Sequence, residues 1–382
     1  MIIGIDATNI RGGGGITHLT ELLNHSSPQK NNFNKIIVWS SEITLNKIEN
    51  KLWLIKISPK FLNKNLFFRI IWQVFFLKKE AKKNNCDIIF VPGGSVSTSF
   101  RPIVTMSRNM LPFELKELKR FGFTFTFFKL YLLKFIQLRS FRKVNGLIFL
   151  NNYAKNNIIN YLNNEKLIHT IIPHGVSNNF SFNPQLRNLR KFEDFTLTNP
   201  CKILYVSIIE NYKHQKNVIL AINNLKKRNI PISIDLIGPP GLGYKEFNNV
   251  LNNIDNSKEF INYHGNVEHK YLNQFYNNAD IFLFASTCEN MPNILLESMA
   301  AGLPIACSNA GPMPEILKNF GVYFDSEDLN SIETTILNLI KSNKIREELS
   351  AKVYIESLKY NWDKCAVDTY IFLNKIAKKY GK

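Results

Sequence analysis

Residues 280–315 have the sequence DIFLFASTCENMPNILLESMAAGLPIACSNAGPMPE, the most informative segment of the chain. An apolar strand is predicted to end at Ala285, and Pro292 stands where a helix would begin. That helix is predicted to run to Gly302, since glycine commonly follows the last residue of a helix. A strand, a short loop and a helix in this order indicate one βα unit of a parallel sheet.

Two glutamates lie eight positions apart in this unit. Glu289 is in the loop at the carboxyl end of the strand, and Glu297 is in the helix. A carboxylate can accept hydrogen bonds from two vicinal hydroxyls, and amides at a helix start can bind a diphosphate. The amides are those between the glutamates, at Asn290, Met291, Pro292, Asn293 and Ile294. The pattern outlines a sugar-nucleotide site, although the pair alone would fit two solvated surface glutamates equally well.

The same alternation of short apolar runs and helical patterns extends over the chain. Helices are predicted notably at 16–25, 65–84, 116–142 and 151–163 in the first half and near 214–228, 270–278, 293–301 and 330–341 in the second. It predicts an α/β protein with two Rossmann-like, doubly wound domains that face a central cleft. The predicted domains are 1–178 and 201–360, joined by a linker at 179–200. An amphipathic helix is expected at 361–382.

Composition narrows the class of protein. The chain has 382 residues and a formal charge of +18, and its composition is that of a globular protein. Its five cysteines never form a CxxC pair, so a disulfide framework and a thiolate zinc site are disfavoured and a reducing cytoplasm fits. The N-terminal residues do not resemble a signal peptide, and no uncharged run approaches the length of a membrane span.

The positive charge is concentrated between residues 51 and 150. This segment has 19 Lys and Arg against 4 Asp and Glu, a net charge of +15, and it is rich in aromatic residues at 65–83 and 116–143. Basic residues among aromatic ones favour an anionic membrane surface as the partner. Core helices with a solvated basic face, or a nucleic-acid surface, remain open, but no nucleic-acid-binding motif accompanies the charge.

A glycine run follows the first predicted strand. Gly12, Gly13, Gly14 and Gly15 lead into a helix, so their backbone could approach a phosphate closely. The spacing fits neither a P-loop nor a dinucleotide fingerprint. A flexible turn therefore remains an equal interpretation.

The pattern as a whole resembles the retaining glycosyltransferases of the GT-B fold, in particular the family-four type (glycosyltransferase group 1). The hallmark is a glutamate, seven residues and a second glutamate, flanked here by LLESMAAGLPI and PEIL. The segments IPHGV (172–176), YHGNV (263–267) and VSIIENYKHQ (206–215) also resemble family segments. The resemblance covers almost the whole chain, and it implies that the C-terminal helix returns to the N-terminal domain.

The resemblance implies a role for each matching residue. Glu297 would bind the ribose hydroxyls and Glu289 the donor sugar. Lys213 would contact the diphosphate, and Ile208 stands where the family usually has an arginine. Donor affinity would then depend more on Lys213, the helix amides and the Gly12–Gly15 run. Asn266 and Val267 would lie beside the nucleobase, and Arg108, Asn109 and Glu114 on the acceptor side.

These inferences predict a cytoplasmic glycosyltransferase, peripheral on the inner face of the membrane, that acts in cell-surface polysaccharide synthesis. It would transfer a sugar from a nucleotide-diphosphate donor to a saccharide acceptor carried on a lipid, with retention of configuration. No metal or other cofactor is expected, because the histidines lack metal-ligand spacing and no DxD lies near the donor site. A GT-B epimerase or phosphorylase, and a basic adaptor without enzymatic activity, remain alternatives. The sequence does not determine the donor base, the sugar, the acceptor or the oligomeric state.

Overall fold

The structure is a computed structural model, and it describes residues 1–164, 166–184, 187 and 189–381. Glu165 lies outside the described residues, as do Gln185, Leu186 and Asn188 of the predicted linker and Lys382 of the predicted C-terminal helix.

The chain folds as two compact units. The first consists of Met1–Gly175 together with Asn361–Lys382, and the second of Val176–Tyr360. The C-terminal helix thus belongs to the first unit, as the sequence resemblance implied. Residues 179–200, expected to be a linker, fall within the second unit in this division.

The first unit is built on a parallel sheet, in which the structure describes seven strands in the order β3-β2-β1-β4-β5-β6-β7. The strands are short, apolar and mostly buried, as expected where helices cover both faces of a parallel sheet. They are β1 (Ile2–Asp6), β2 (Lys35–Trp39), β3 (Leu54–Ile57), β4 (Ile88–Val91), β5 (Ile103–Met106), β6 (Gly146–Phe149) and β7 (Ile168–Ile171).

The helices of this unit pack around the sheet. They are α1 (Gly14–Asn24), α2 (Glu42–Leu45), α3 (Leu66–Phe75), α4 (Leu77–Lys83), α5 (Leu115–Lys119), α6 (Phe125–Lys143), α7 (Asn152–Ile159) and α15 (Trp362–Tyr380). The single helix predicted over 116–142 is wrong, because Gly122 adopts a left-handed φ of 56° and Thr124 caps a new helix. The helix predicted over 65–84 is likewise divided, at Phe76.

The second unit repeats this plan with a described sheet of six parallel strands in the order β10-β9-β8-β11-β12-β13. The strands are β8 (Cys201–Val206), β9 (Ile232–Ile237), β10 (Ile261–Tyr263), β11 (Ile281–Phe284), β12 (Ile305–Ser308) and β13 (Val322–Phe324). The helices are α8 (Gln215–Lys227), α9 (Tyr244–Ile254), α10 (Leu272–Asn278), α11 (Asn293–Ala300), α12 (Met313–Leu317), α13 (Leu329–Lys341) and α14 (Asn343–Ser357).

Four elements of the second unit, helices α9, α12 and α14 and strand β13, were not predicted from the sequence. The helices α9 and α14 are rich in asparagine or charged residues, so few apolar side chains mark their periodicity. Strand β13 has only three residues. Tertiary contacts stabilise α9 and α14, because Phe247 and Leu251 of α9 and Val353 of α14 are buried.

Each sheet reverses its strand order once. In the first unit the chain passes from β1 outward to β3 and then returns to β4, on the other side of β1. In the second unit the equivalent neighbours are β8 and β11. Loops at the carboxyl ends of such neighbours diverge and leave a crevice, which is where doubly wound sheets bind ligands.

Among the residues that the structure describes, no helix combines the length and the apolar composition that a membrane-spanning helix requires.

Candidate active site

Lys213 and Glu289 meet at the strand-order reversal of the second sheet. Lys213 lies in the loop after β8, and Glu289 in the loop after β11, and these two strands are hydrogen-bonded neighbours. The Lys213 Nζ forms an ion pair with Glu289 Oε1. Their side chains are only 7% and 14% exposed, respectively. The fold therefore places one cation and one carboxylate where a ligand of this sheet is expected.

Aromatic rings surround the Lys213 ammonium. Its Nζ lies 5.3 Å from the ring centroids of both Tyr212 and Phe284, within the range of a cation–π interaction. The hydroxyl of Tyr205 donates to the backbone oxygen of Lys213. Burial raises the pKa of Tyr205 well above its usual range, and the Glu289 charge raises it further, so the phenol keeps its proton. These contacts hold the lysine head in one position.

The two loops of the site are joined by hydrogen bonds. The amide of Thr287 donates to the backbone oxygen of Tyr212 at 2.9 Å, and Thr287 Oγ1 lies 3.1 Å from His214 Nε2. His214 has a left-handed φ of 52° and is the N-cap of helix α8, directly before Gln215. This strained turn directs the chain from Lys213 into the helix, so the position of the lysine depends on the fold of both loops.

Glu297 is a buried carboxylate held by two side chains. It lies on α11 with its side chain 5% exposed. The hydroxyl of Tyr276 donates to Oε2 at 3.0 Å, and His269 Nε2 lies 2.9 Å from Oε1. Burial raises the pKa of Tyr276 well above its usual range, and the Glu297 charge adds to this, so Tyr276 remains a donor. The sequence analysis missed both partners because they lie 21 and 28 residues away.

The loop predicted to flank the nucleobase lies near Glu297. Asn266 is exposed and Val267 half-buried in the irregular segment after β10, in which Gly265 has a left-handed φ of 65°. His269 follows this segment directly and contacts Glu297. The structure therefore connects the predicted base-binding loop to the predicted ribose-binding carboxylate, through a residue that the sequence analysis did not identify.

The start of α11 differs in detail from the prediction. Pro292 is the N-cap in an extended conformation, and the helix begins at Asn293. Pro292 has no N–H, so it cannot contribute an amide to a diphosphate. Asn290, Met291 and Pro292 are buried, whereas Asn293 and Ile294 are half-buried. The first turn has neither a side-chain cap nor an acidic residue, which leaves its positive dipole end uncompensated.

The glycine run lies in the first unit. Gly13 has a φ of 55° and is the N-cap of α1, while Gly14 and Gly15 already belong to the helix. A Cβ added at Gly12 or Gly13 would meet nothing within 4 Å, so packing does not require these glycines to lack a side chain. At Gly15 an added Cβ would lie 3.3 Å from Arg108 Nη1.

The residues predicted on the acceptor side are not all brought together. Arg108 packs against Gly15, as described above. Asn109 is exposed, and its side chain accepts a hydrogen bond from the amide of Leu111. Glu114 instead accepts a hydrogen bond from Tyr153 on α7, and burial raises its pKa. Ile208, at the usual arginine position of the second unit, is partly exposed after β8.

In the described part of the chain, no group of three or more His, Cys, Asp or Glu side chains could hold a metal ion.

Comparisons with known proteins match part of this chain to a family. The sequence profile of "Glycosyl transferases group 1" matches residues 189–355. O-antigen chain mannosyltransferase B of Escherichia coli is 29% identical over 110 residues, which cover 29% of each chain. Spore coat protein SA of Bacillus subtilis is 26% identical over 155 residues, 38% of this chain and 41% of the relative. The matched segments thus span less than half the length of these curated relatives.

Solved structures match over nearly the whole chain. Sucrose-phosphate synthase from Thermosynechococcus elongatus has a TM-score of 0.75 and 14% identity, with 97% of both chains covered. Anabaena HepE in complex with UDP has a TM-score of 0.68 and 14% identity, with 96% of this chain and 98% of that chain covered. At these identities the likeness concerns the fold. It shows that this chain has the GT-B fold, and residues 189–355, within the second unit, match the group 1 glycosyltransferase family.

Proposed function

We propose that the protein transfers a sugar from a nucleotide-diphosphate donor to a saccharide acceptor, with retention of anomeric configuration. The observation that carries this proposal is the grouping of Lys213, Glu289 and Glu297 around the strand-order reversal of the second sheet. In this proposal the Lys213 cation binds the diphosphate and the adjacent Glu289 carboxylate contacts the sugar. The Glu297 carboxylate, which Tyr276 and His269 hold in place, binds the ribose. The match of residues 189–355 to the group 1 glycosyltransferases supports this assignment of the three residues.

Each residue has a distinct task in this proposal. Glu297 accepts hydrogen bonds from the ribose hydroxyls, and Tyr276 holds its carboxylate in place. Glu289 contacts the donor sugar. Lys213 binds the diphosphate and offsets the negative charge that grows as the glycosidic bond breaks. Since Lys213 and Glu289 neutralise each other in the structure, donor binding exchanges part of that ion pair for contacts with phosphate and sugar.

Positioning supplies much of the catalysis in this mechanism. We assign no protein nucleophile, so the donor and acceptor react while they are held in register and the departing diphosphate is stabilised. The amides of Asn293 and Ile294 add to this stabilisation, while Asn266 and Val267 flank the base. Retention is tested by NMR of the product, in which the anomeric configuration of the new bond should equal that of the donor.

The acceptor is proposed to be a lipid-linked saccharide of cell-surface polysaccharide synthesis. The similarity to an O-antigen mannosyltransferase supports this class of product. A lipid-linked acceptor also requires the enzyme to reach a membrane, and α6 has a suitable surface. This helix buries the polar residues Lys134, Gln137 and Ser140 but exposes large apolar side chains.

We call this surface the aromatic face of the first unit. Its members are exposed apolar residues on α6 and just before it: Phe123, Phe125, Phe128, Tyr131, Leu132, Phe135 and Ile136. Phe123 and Phe125 are 91% and 84% exposed. Lys129, Arg139 and Lys143 are exposed on the same helix, and the sequence has no Asp or Glu from 118 to 164. Rings in the lipid interface and cations on anionic headgroups would hold the protein peripherally on the inner face of the cytoplasmic membrane.

No metal ion is required in this proposal, because Lys213 and the helix start supply the positive charge. Transfer should therefore persist in EDTA. Loss of activity that Mn²⁺ or Mg²⁺ restores would contradict this point.

Thermal unfolding with a panel of nucleotide sugars tests the donor site. UDP-, GDP-, dTDP- and ADP-sugars are compared, beginning with UDP-glucose, because an Anabaena structure of this fold is a complex with that molecule. A ligand at 100 times its Kd stabilises the folded state by about 2.7 kcal/mol. Glu297→Gln should abolish the shift, whereas Glu193→Gln, at an exposed glutamate of the same unit, should preserve it.

The product distinguishes the alternatives. A transferase moves labelled sugar onto an added saccharide acceptor, whereas an epimerase isomerises the donor and a phosphorylase consumes or releases phosphate. An adaptor without enzymatic activity would show no donor-dependent shift with any of the four nucleotides. Any of these three results, donor isomerisation, phosphate turnover or the absence of a shift with all four nucleotides, would overturn the proposed function.

A further inference from the structure

A cavity opens at the amino-terminal ends of β8 and β11 in the second unit, at the opposite end of these strands from Lys213 and Glu289. Its volume is about 360 Å³, which lies within the range of small-molecule sites. Its walls come from the segment before β8, the start of β8, the end of α10 and the residues that lead into β11. The proposed donor chemistry uses none of these residues.

The described residues that line the cavity give it a positive charge. They include Arg187, Arg190 and Lys202, together with a single carboxylate, that of Asp280. Asp280 is already engaged, because it pairs with Arg190 and accepts a hydrogen bond from the amide of Lys202 at 2.8 Å. The charges of Arg187 and Lys202 therefore have no second carboxylate in the lining to offset them.

Several polar groups of the lining are available to a ligand. The side chains of Lys202, Asn277 and Asn278 are exposed and form no hydrogen bond or ion pair with the part of the chain that the structure describes. An ammonium group donates hydrogen bonds, and a carboxamide both donates and accepts them. The cavity thus presents one cation and two carboxamides, which suits an anion that also carries hydroxyl groups.

Arg187 connects the cavity with the helices that carry Tyr276 and Glu297. Its Nη2 donates to the backbone oxygens of Tyr276 at 3.2 Å and Ala301 at 2.8 Å, and its Nη1 donates to that of Ala279 at 2.9 Å. These oxygens lie at the C-terminal ends of α10 and α11, where a cation is favourable. The buried Nε of Arg187 has no hydrogen-bond partner.

The elements around the cavity also position the donor residues. Strand β8 contains Lys202 near its start and leads to the loop of Lys213, while β11 follows Asp280 and leads to the loop of Glu289. Helix α10, which ends at the cavity, carries Tyr276. A ligand that holds these ends together would therefore act on the geometry of the donor site.

We propose that this cavity is an effector site for a phosphorylated sugar. The phosphate pairs with Lys202, and the carboxamides of Asn277 and Asn278 bind sugar hydroxyls. Phe182 and Leu189 supply an apolar wall for the ring of the sugar. The inference rests on the proposed function, because the effector acts on the unit to which that function assigns the donor.

Occupancy of the cavity increases the affinity for the donor. The bound effector restricts the ends of α10 and α11, which Arg187 joins, and so restricts Tyr276 and Glu297. Donor binding then loses less conformational entropy, which gives positive cooperativity without a change of fold.

Calorimetric titration of the full chain with glucose 1-phosphate tests the site. The donor site is first saturated with the nucleoside diphosphate of the donor that stabilises the protein most in the thermal panel. Lys202→Gln should raise the Kd for glucose 1-phosphate at least about tenfold, since a charge-assisted contact is lost. Lys245→Gln, at an exposed lysine on α9, is the matched control and should leave this Kd unchanged.

Inorganic phosphate separates the contribution of the phosphate group from that of the sugar. Wild-type protein should bind glucose 1-phosphate at least about tenfold more tightly than inorganic phosphate, because the carboxamides contact only the sugar. Asn278→Ala should weaken the binding of glucose 1-phosphate alone, whereas Lys202→Gln should weaken the binding of both ligands.

The Kd for the nucleoside diphosphate, measured with and without glucose 1-phosphate, tests the effector role. It should fall at least about fivefold when the cavity is occupied, which is the lower end of typical coupling between sites. Lys202→Gln should bind the nucleotide as wild-type protein does, but at the same concentration of glucose 1-phosphate it should show no such fall.

Four results would overturn the inference. They are the absence of glucose 1-phosphate binding to nucleotide-saturated protein, an unchanged Kd in Lys202→Gln, equal Kd values for glucose 1-phosphate and inorganic phosphate, and a nucleotide Kd that glucose 1-phosphate does not lower. If no nucleotide binds wild-type protein, the proposed function fails instead, and titration with glucose 1-phosphate alone still tests the cavity.

Discussion

The ion pair of Lys213 and Glu289 is the residue-level feature that links fold to function. A mostly buried ion pair adds little to stability, because desolvation of both charges offsets their attraction. Its presence at the end of two adjacent strands is therefore better explained by ligand binding than by stability. The pair also keeps Lys213 from being an uncompensated cation before the donor arrives.

Substitution of Lys213 and Glu289 separates the effect of the ion pair on stability from its effect on sugar transfer. Lys213→Met leaves Glu289 buried without a partner, so we expect the free energy of unfolding to fall by about 3–5 kcal/mol. The double variant Lys213→Met, Glu289→Leu should recover most of this loss, because neither charge remains. Transfer should fall about 10²–10³-fold in both variants, since both lack the cation at the diphosphate.

Denaturant unfolding measures the free energy of unfolding, and initial rates at saturating donor measure sugar transfer. Lys216→Met, at an exposed lysine on α8, is the control for a lost cation. If the double variant regained activity together with stability, Lys213 would have only a structural role.

The orientation of the Glu297 carboxylate is a feature that the sequence motif does not specify. The spacing of the two glutamates identifies the residue, but the orientation of its carboxylate depends on Tyr276 and His269. These partners come from other elements, and only the packing of α10 and the loop before it against α11 brings them within hydrogen-bond distance. The sequence therefore predicted the acid and not the side chains that position it.

Among the elements, α6 has an unusual distribution of side chains. A helix on the surface of a protein usually buries its apolar residues, whereas α6 buries Lys134 with its Nζ 4.6 Å from the ring of Tyr161. Of its phenylalanines, Phe125, Phe128 and Phe135 are exposed, whereas Phe141 is buried. The basic, aromatic sequence alone left a core helix and a membrane surface open, and the exposure of these rings favours the membrane.

Replacement of the aromatic face should weaken membrane binding. Phe125→Ser together with Phe128→Ser should lower partitioning into anionic vesicles at least about tenfold, because two rings are lost from the interface. Cosedimentation with vesicles of phosphatidylcholine and phosphatidylglycerol measures this, and binding should weaken in high salt.

A matched control is available in the second unit. Ile355 and Leu358, at the end of α14, are 63% and 61% exposed, so their replacement by Ser removes comparable apolar surface elsewhere. Equal losses in both double variants, or no binding by wild-type protein at low salt, would contradict a specific membrane face.

On the scale of the whole molecule, the chain ends in the unit where it began. Helix α15 buries Trp362, Tyr370 and Phe372 in the first unit. It also packs closely on β6, where a Cβ added at Gly146 would lie 3.0 Å from atoms of Phe372 and Ile376. The first unit therefore depends on residues that follow the complete second unit in sequence.

Truncation at Tyr360 should destabilise the first unit selectively. The loss of the buried side chains of Trp362, Tyr370, Phe372 and Ile376 removes on the order of 6–12 kcal/mol, comparable with the whole stability of a domain. Hydrogen exchange should then show the strands of the first unit unprotected, while those of the second unit stay protected. Truncation after Lys378, which removes only the last residues, should leave both protected. Full protection of the first unit in the longer truncation would contradict this assignment.

The sequence by itself determined the α/β class, most of the strands and the glutamate pair, because short-range periodicity and spacing are local properties. It also implied the return of the C-terminal helix, through resemblance to a family. The ion pair of Lys213 with Glu289 and the bracing of Glu297 by Tyr276 and His269 were decided by the tertiary structure. Both depend on side chains from separate elements that meet only when the sheet and its helices pack, and one sequence does not specify which distant residues will be neighbours.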